Sequence, residues 1–151
     1  CHVAWQETGV TGRASCGTWQ AKAGGKCAVD YALHMSRGGV DEAALKEMDA
    51  LVGEGITSFK LFMAYPGVFY SDDGQILRAM QKAADNGALI TMHAENGIAI
   101  DVLSEQAAAR GQTDPVYHGI TRPPRMEGEV TNRAIQLTLY HLHTWLFHRR
   151  R

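Results

Sequence analysis

Lys60 and His93 are the residues of this 151-residue chain whose type and setting point to chemistry. Lys60 sits inside an apolar run, Ser58-Phe59-Lys60-Leu61-Phe62-Met63-Ala64-Tyr65-Pro66-Gly67, and His93 closes a second one, Leu89-Ile90-Thr91-Met92. An ammonium is hard to keep charged among apolar side chains, and desolvation favours the neutral amine, which is a nucleophile. Such an amine can form a Schiff base, act as a base, or capture carbon dioxide as a carbamate. A carbamate is in effect a long carboxylate that can bridge two metal ions. His93 offers the imidazole that zinc prefers. A plainer reading stays open, in which Lys60 extends its stem to the strand end and His93 is a hydrogen-bonded histidine of the sheet.

The elements that would position these residues are legible on either side. Gly55-Ile56-Thr57 leads into the Lys60 run, Gly87-Ala88 leads into the His93 run, and a helical pattern over 72–86 separates them. Strand, helix, strand is the signature of a parallel sheet. Ligands of such sheets gather beyond the carboxyl ends of the strands, where both residues would lie. The spacing predicts an earlier helix capped by Asp41, with Leu45, Met48, Leu51 and Val52 on one face. Ser71-Asp72-Asp73 should cap the next helix, whose inner face is Ile76, Leu77, Met80, Ala83 and Ala84 and whose stop is Asn86-Gly87.

Beyond His93, a helix is expected over 98–110, with Val102 and Leu103 inward and its N-terminus close to His93, where it would favour a negative ligand. Residues 112–125, with Pro115, Pro123 and Pro124, read as loop, and residues 126–140 as a helix with Val130, Ala134, Ile135 and Leu137 inside. Upstream, residues 1–17 show no period and read as loop. Residues 18–23 suit a short helix, and 27–35 a buried strand followed by a Gly38-Gly39 turn. Glu95 and Asn96 are polar candidates near the site that loop polarity alone accounts for. His118 is an isolated loop histidine and is not assigned to metal.

Composition narrows the function classes. A formal net charge of −1 gives no reason to expect nucleic acid or an anionic membrane as partner, and the arginine run at 149–151 is too short to change that. No apolar run approaches the ~20 residues of a membrane span. Cys1, Cys16 and Cys27 lack metal-knuckle spacing and read as free thiols of a reducing cytoplasm. The length is short for a complete TIM barrel, which typically takes ~250 residues.

The wording of the motifs adds a resemblance. Ser58-Phe59-Lys60 with Phe62-Met63-Ala64-Tyr65, then Tyr70-Ser71-Asp72-Asp73 and Met92-His93-Ala94-Glu95-Asn96-Gly97, closely resembles the dihydropyrimidinase and D-hydantoinase family of cyclic amidohydrolases. A looser likeness covers residues 18–138, including Trp19-Gln20-Ala21-Lys22-Ala23, Tyr117-His118 and Thr121-Arg122-Pro123-Pro124. The resemblance implies an α/β fold, part of a TIM-type (β/α)8 barrel of the metal-dependent amidohydrolases. It implies that Lys60 is carboxylated and bridges two zinc ions, that His93 binds one of them, and that Tyr65 contacts the substrate and stabilises its oxyanion. The loop 64–72 resembles one that shapes substrate and enantiomer choice. The implied substrates are dihydropyrimidines or 5-substituted hydantoins, opened to N-carbamoyl amino acids, and the implied assembly is a homo-oligomer, a tetramer in relatives.

The two ends, 1–17 and 139–151, do not share the likeness. The family's His-x-His pair from the first barrel strand and its aspartate from the last have no counterpart. His141-Leu142-His143 lies on an expected helix, where i and i+2 do not share a face, and His148 stands in the wrong surroundings. The expectation is therefore about half a barrel with part of a metal site, as if a longer gene had been truncated or its frame disturbed. The rival is a catalytically inactive fragment or a non-enzymatic relative acting through protein association, as in the collapsin response mediator proteins.

Overall fold

The computed structural model describes residues 2–6, 9–36 and 39–148. Its elements run β1 (His2–Trp5), α1 (Gly12–Ala23), β2 (Leu33–Ser36), α2 (Glu42–Gly53), β3 (Ser58–Phe62), α3 (Asp73–Asn86), β4 (Leu89–His93), α4 (Gly97–Ala109), α5 (Val116–Ile120) and α6 (Pro124–His148). Strands alternate with helices up to α4, and the four strands form one sheet in the order β1-β2-β3-β4. Pairing is parallel, with Ala4 opposite Met35, and Met35 in turn opposite Phe59. The fold is α/β with a parallel sheet.

The chain packs as two units, residues 1–61 with 71–92, and residues 62–70 with 93–151. The core of the first unit follows from strand alternation, because successive side chains of a strand point to opposite faces. Ala4, Leu33, Met35 and Phe59 are buried with Met48 and Leu51 of α2 and Cys16 of α1. The other face of β2 and β3 carries His34, Ser36, Ser58 and Lys60, with Nδ1 of His34 2.6 Å from Oγ of Ser58.

Caps set the helix limits where the sequence indicated them. The Asp41 side chain accepts from the Ala44 N–H at 2.7 Å. Asp72 and Gln75 close a reciprocal capping box at the start of α3. Gly87 ends α3 in the left-handed region (φ 76°), which glycine adopts without a Cβ penalty. Asp49 of α2 accepts from Lys82 (2.6 Å) and Asn86 (3.1 Å) of α3, and these bonds hold its carboxyl below the usual carboxylate range.

Several expectations are corrected. Residues 1–17 are not loop throughout, since they contain β1 and the first half of α1. That helix was hard to read because its buried residues are Gly12, Ser15 and Cys16, small types that leave no apolar stripe. The expected strand at 27–35 shrinks to Leu33–Ser36, which is also where its register with β1 begins and ends; Val29 before it is 80% exposed. Residues 112–125 hold the short helix α5. Val102 and Ile135 face outward rather than in, while Ile100, Ala107 and Val130 take the buried positions. Ala84 is likewise exposed. The helix expected over 126–140 continues to His148, as the absence of a turn signal there implied. Cys1, Gly38 and 149–151 lie outside the described residues, and the side chains of His141, His143 and His148 are not described.

Phe59 is fully buried, so Phe59→Ala is expected to cost about 3–5 kcal/mol in urea unfolding through lost burial and the cavity left behind. Val29→Ala, at an exposed position, should stay within about 0.5 kcal/mol. Burial, with the Glu54 charge adding to it, pushes the Cys16 thiol up. The thiolate is the reactive form. Alkylation of the native chain followed by peptide mass analysis should therefore label exposed Cys27 well before Cys16, which should react only after unfolding.

Candidate functional site

Lys60 belongs to the first unit. It pairs with Ser36 across β2 and β3 and is half-buried, while its neighbours Phe59 and Leu61 fill the opposite, apolar face. The apolar run is thus not a strand enclosed on both sides. The lysine lies on the same face of the sheet as Ser36 and Ser58.

Tyr65 and His93 belong to the second unit, and the structure brings them together. Their ring centroids are 5.5 Å apart, and Phe62 stacks on the imidazole at 5.6 Å with an interplanar angle of 28°. Phe69 completes the cluster, 5.5 Å from Phe62 and edge-on to Tyr65 at 6.0 Å. Tyr65 is 42% exposed, so its ring borders the cluster and is open to an incoming molecule.

The loop that presents Tyr65 is under backbone strain. Tyr65 has φ 60°, the left-handed region, although residues preceding proline are ordinarily extended. Such a conformation costs on the order of 1–3 kcal/mol and persists only where the surroundings impose it. Here the Tyr65 carbonyl accepts from the amides of Val68 (3.1 Å), Phe69 (3.0 Å) and Tyr70 (3.3 Å), which closes the turn over Pro66-Gly67.

Two backbone bonds sew this loop to the His93 segment. The Met63 N–H donates to the His93 carbonyl at 3.0 Å, and the Gly97 N–H donates to the Met63 carbonyl at 3.1 Å. Gly97 has to be glycine for this: a Cβ there would lie 2.7 Å from Ala64 Cα and 2.9 Å from the Tyr65 nitrogen. Asn96 caps α4 through Ala99 and donates to Glu129, so its role is structural.

Glu95, a polar candidate in the sequence that loop polarity alone could account for, is the partner of His93. The Nε2 of His93 lies 2.7 Å from Oε2 of Glu95, with both side chains partly buried. Phe62 and Phe69 were missed as parts of the site. Their signal, an aromatic at the strand end and another seven residues on, is indistinguishable from core packing until the loop folds back. His118 is exposed, and its Nδ1 lies 3.1 Å from the Arg122 guanidinium.

The fit of zinc rests on the donors themselves. His93 has the right chemistry, but Glu95 occupies one of its two nitrogens. Among the described residues, no group of three or more His, Cys, Asp and Glu side chains is placed to hold a metal. A structural or catalytic zinc takes at least three protein ligands. The described residues of this chain do not by themselves make a zinc site.

Comparison with known proteins follows the same pattern of a partial match. No protein-family model matches the chain. It is 64% identical over 132 residues to a D-hydantoinase of Streptomyces coelicolor, covering 87% of this chain and 28% of that protein. It is 49% identical over 122 residues to a D-hydantoinase of Geobacillus stearothermophilus, covering 80% and 26%. The structure superposes on the crystal structure of a dihydropyrimidinase from Brevibacillus agri NCHU1002 with a TM-score of 0.89 at 42% identity, covering 92% of this chain and 30% of that one. The chain spans under a third of the length of these relatives.

Gly97→Ala should force the 63–65 backbone away from the start of α4, at a cost of about 1–3 kcal/mol by overpacking. Hydrogen exchange should report it locally, with the Gly97 and Met63 amides losing protection while those of the first unit keep theirs.

Proposed function

Because the chain belongs, over a segment under a third of their length, to the D-hydantoinase and dihydropyrimidinase family, we propose that it is part of a hydrolase that opens cyclic amides. Its parallel sheet is a stretch of a (β/α)8 barrel, and its substrates are dihydropyrimidines or 5-substituted hydantoins, converted to N-carbamoyl amino acids. The observation that carries this reading is the 64% identity to a D-hydantoinase over 132 residues, a span long enough to include most of the sheet and its loops.

Ring opening adds water across the amide. The carbonyl carbon gains the hydroxyl oxygen, the ring C–N bond breaks, and the nitrogen leaves with a proton. Negative charge gathers on the carbonyl oxygen as the water attacks. A phenol held at that oxygen stabilises the charge most when it is greatest. Tyr65 is our candidate for that donor, held in position by its strained turn and by its packing against His93. Lys60, as a carbamate, and His93 are the residues this chain would contribute to a zinc centre. The remaining ligands would come from outside the matched segment, and the active assembly would be a cytoplasmic homo-oligomer. Among the described residues, no helix is long and apolar enough to cross a membrane.

The test places the family-like segment where its relatives have theirs. Exchanging it for the corresponding segment of the Streptomyces coelicolor enzyme should give a folded chimera that opens dihydrouracil or hydantoin. In that chimera Lys60→Ala should abolish turnover, and Tyr65→Phe should lower kcat by roughly 10²–10³-fold, the usual effect of losing one oxyanion donor. A folded chimera without turnover would sink the proposal in favour of a non-enzymatic relative that acts through association. The 151-residue chain on its own should show no hydrolysis, because among its described residues no group of three or more ligating side chains is placed to hold a metal.

A further inference from the structure

We infer that Glu95 is a positioning residue that selects the proton-bearing nitrogen of His93, keeping Nε2 protonated and leaving the lone pair on Nδ1. A carboxylate only accepts, so the 2.7 Å contact between His93 Nε2 and Glu95 Oε2 requires the hydrogen on Nε2. A neutral imidazole carries one such hydrogen, which leaves Nδ1 as the acceptor or ligand nitrogen. Hydrogen bonding at one ring nitrogen is what determines the role of the other.

The aromatic contacts cannot do this. Phe62 stacks on the imidazole at 28° and Tyr65 lies against it at 36°, which restrains the plane of the ring. A half-turn of the ring about its bond to Cβ exchanges its two edges while leaving that plane unchanged, so stacking does not distinguish the two orientations. The bond to Glu95 does, because a half-turn would take Nε2 away from the carboxylate. Glu95 is itself flanked by fixed backbone. Its carbonyl and that of Met63 both accept from the Gly97 N–H, and the next amide, Asn96, donates to Met126 at 3.1 Å. The carboxylate therefore approaches His93 from a held position two residues on. The division of labour is plane from the aromatics and edge from the acid.

This inference deepens the reading of His93 given under Proposed function, and its test is independent of turnover. The 151-residue chain, labelled with ¹⁵N and without substrate, is examined by long-range ¹⁵N–¹H correlation of the His93 ring, with His93→Gln identifying its signals. The expected pattern is protonated Nε2 and unprotonated Nδ1, with an Hε2 resonance protected from exchange with water. Glu95→Gln should keep the resonance, since the carboxamide oxygen still accepts, but move it upfield because a neutral acceptor bonds more weakly. Glu95→Ala should lose the resonance to exchange while the amide spectrum stays dispersed.

A proton on Nδ1 in the unmodified chain would overturn the inference, as would an Hε2 resonance that survives Glu95→Ala. If Glu95→Ala does not fold, Glu95→Gln decides, and an unmoved Hε2 shift there overturns it. An inactive chimera with the expected ring pattern would sink the hydrolase reading and leave this one standing. An active chimera with the wrong pattern would do the reverse.

Discussion

Parallel pairing of β2 with β3 is the constraint on which the first unit depends. The register places Met35 opposite Phe59 and Ser36 opposite Lys60. Because strand side chains alternate, that one choice sends the first pair into the apolar core and the second to the opposite face. A slip of one residue would bury Lys60 among Met48, Leu51 and Ile56 and expose Phe59. The penalty for an unpaired ammonium in such a core makes the slip costly. The position of the lysine is therefore a consequence of how the core is filled.

In the second unit the controlling feature is a close approach of backbones. Gly97 lets the start of α4 lie against Ala64 and Tyr65, and the Gly97–Met63 and Met63–His93 bonds hold the two segments in register. The left-handed Tyr65 is what this arrangement has to sustain. Strain of that kind persists where neighbouring contacts over-determine the backbone. The three amides converging on the Tyr65 carbonyl, together with the aromatic cluster, are contacts of that sort.

Legibility in the sequence followed the strength of local signals. α3 could be read to within a residue, and α2 at its start, because Asp72 and Asp41 cap them and large apolar residues mark their inner faces. α1 could not, since it turns small residues inward, and small residues carry no period. The strand before Ser36 was over-extended because Val29 and Tyr31 are apolar in type but exposed in place. Apolarity marks what can be buried, and strand pairing decides what is.

What the residues alone determined was the kinship, carried by the Lys60 and His93 motifs, and the βαβ order around them. Those are properties of local text: a motif is read letter by letter, and a helix between two strands announces itself by its period. Only the tertiary structure decided which face Lys60 takes and that Tyr65 is forced into the left-handed region. Each of these depends on chain segments brought together by folding or on a loop conformation that local propensity opposes, and no window of sequence encodes either.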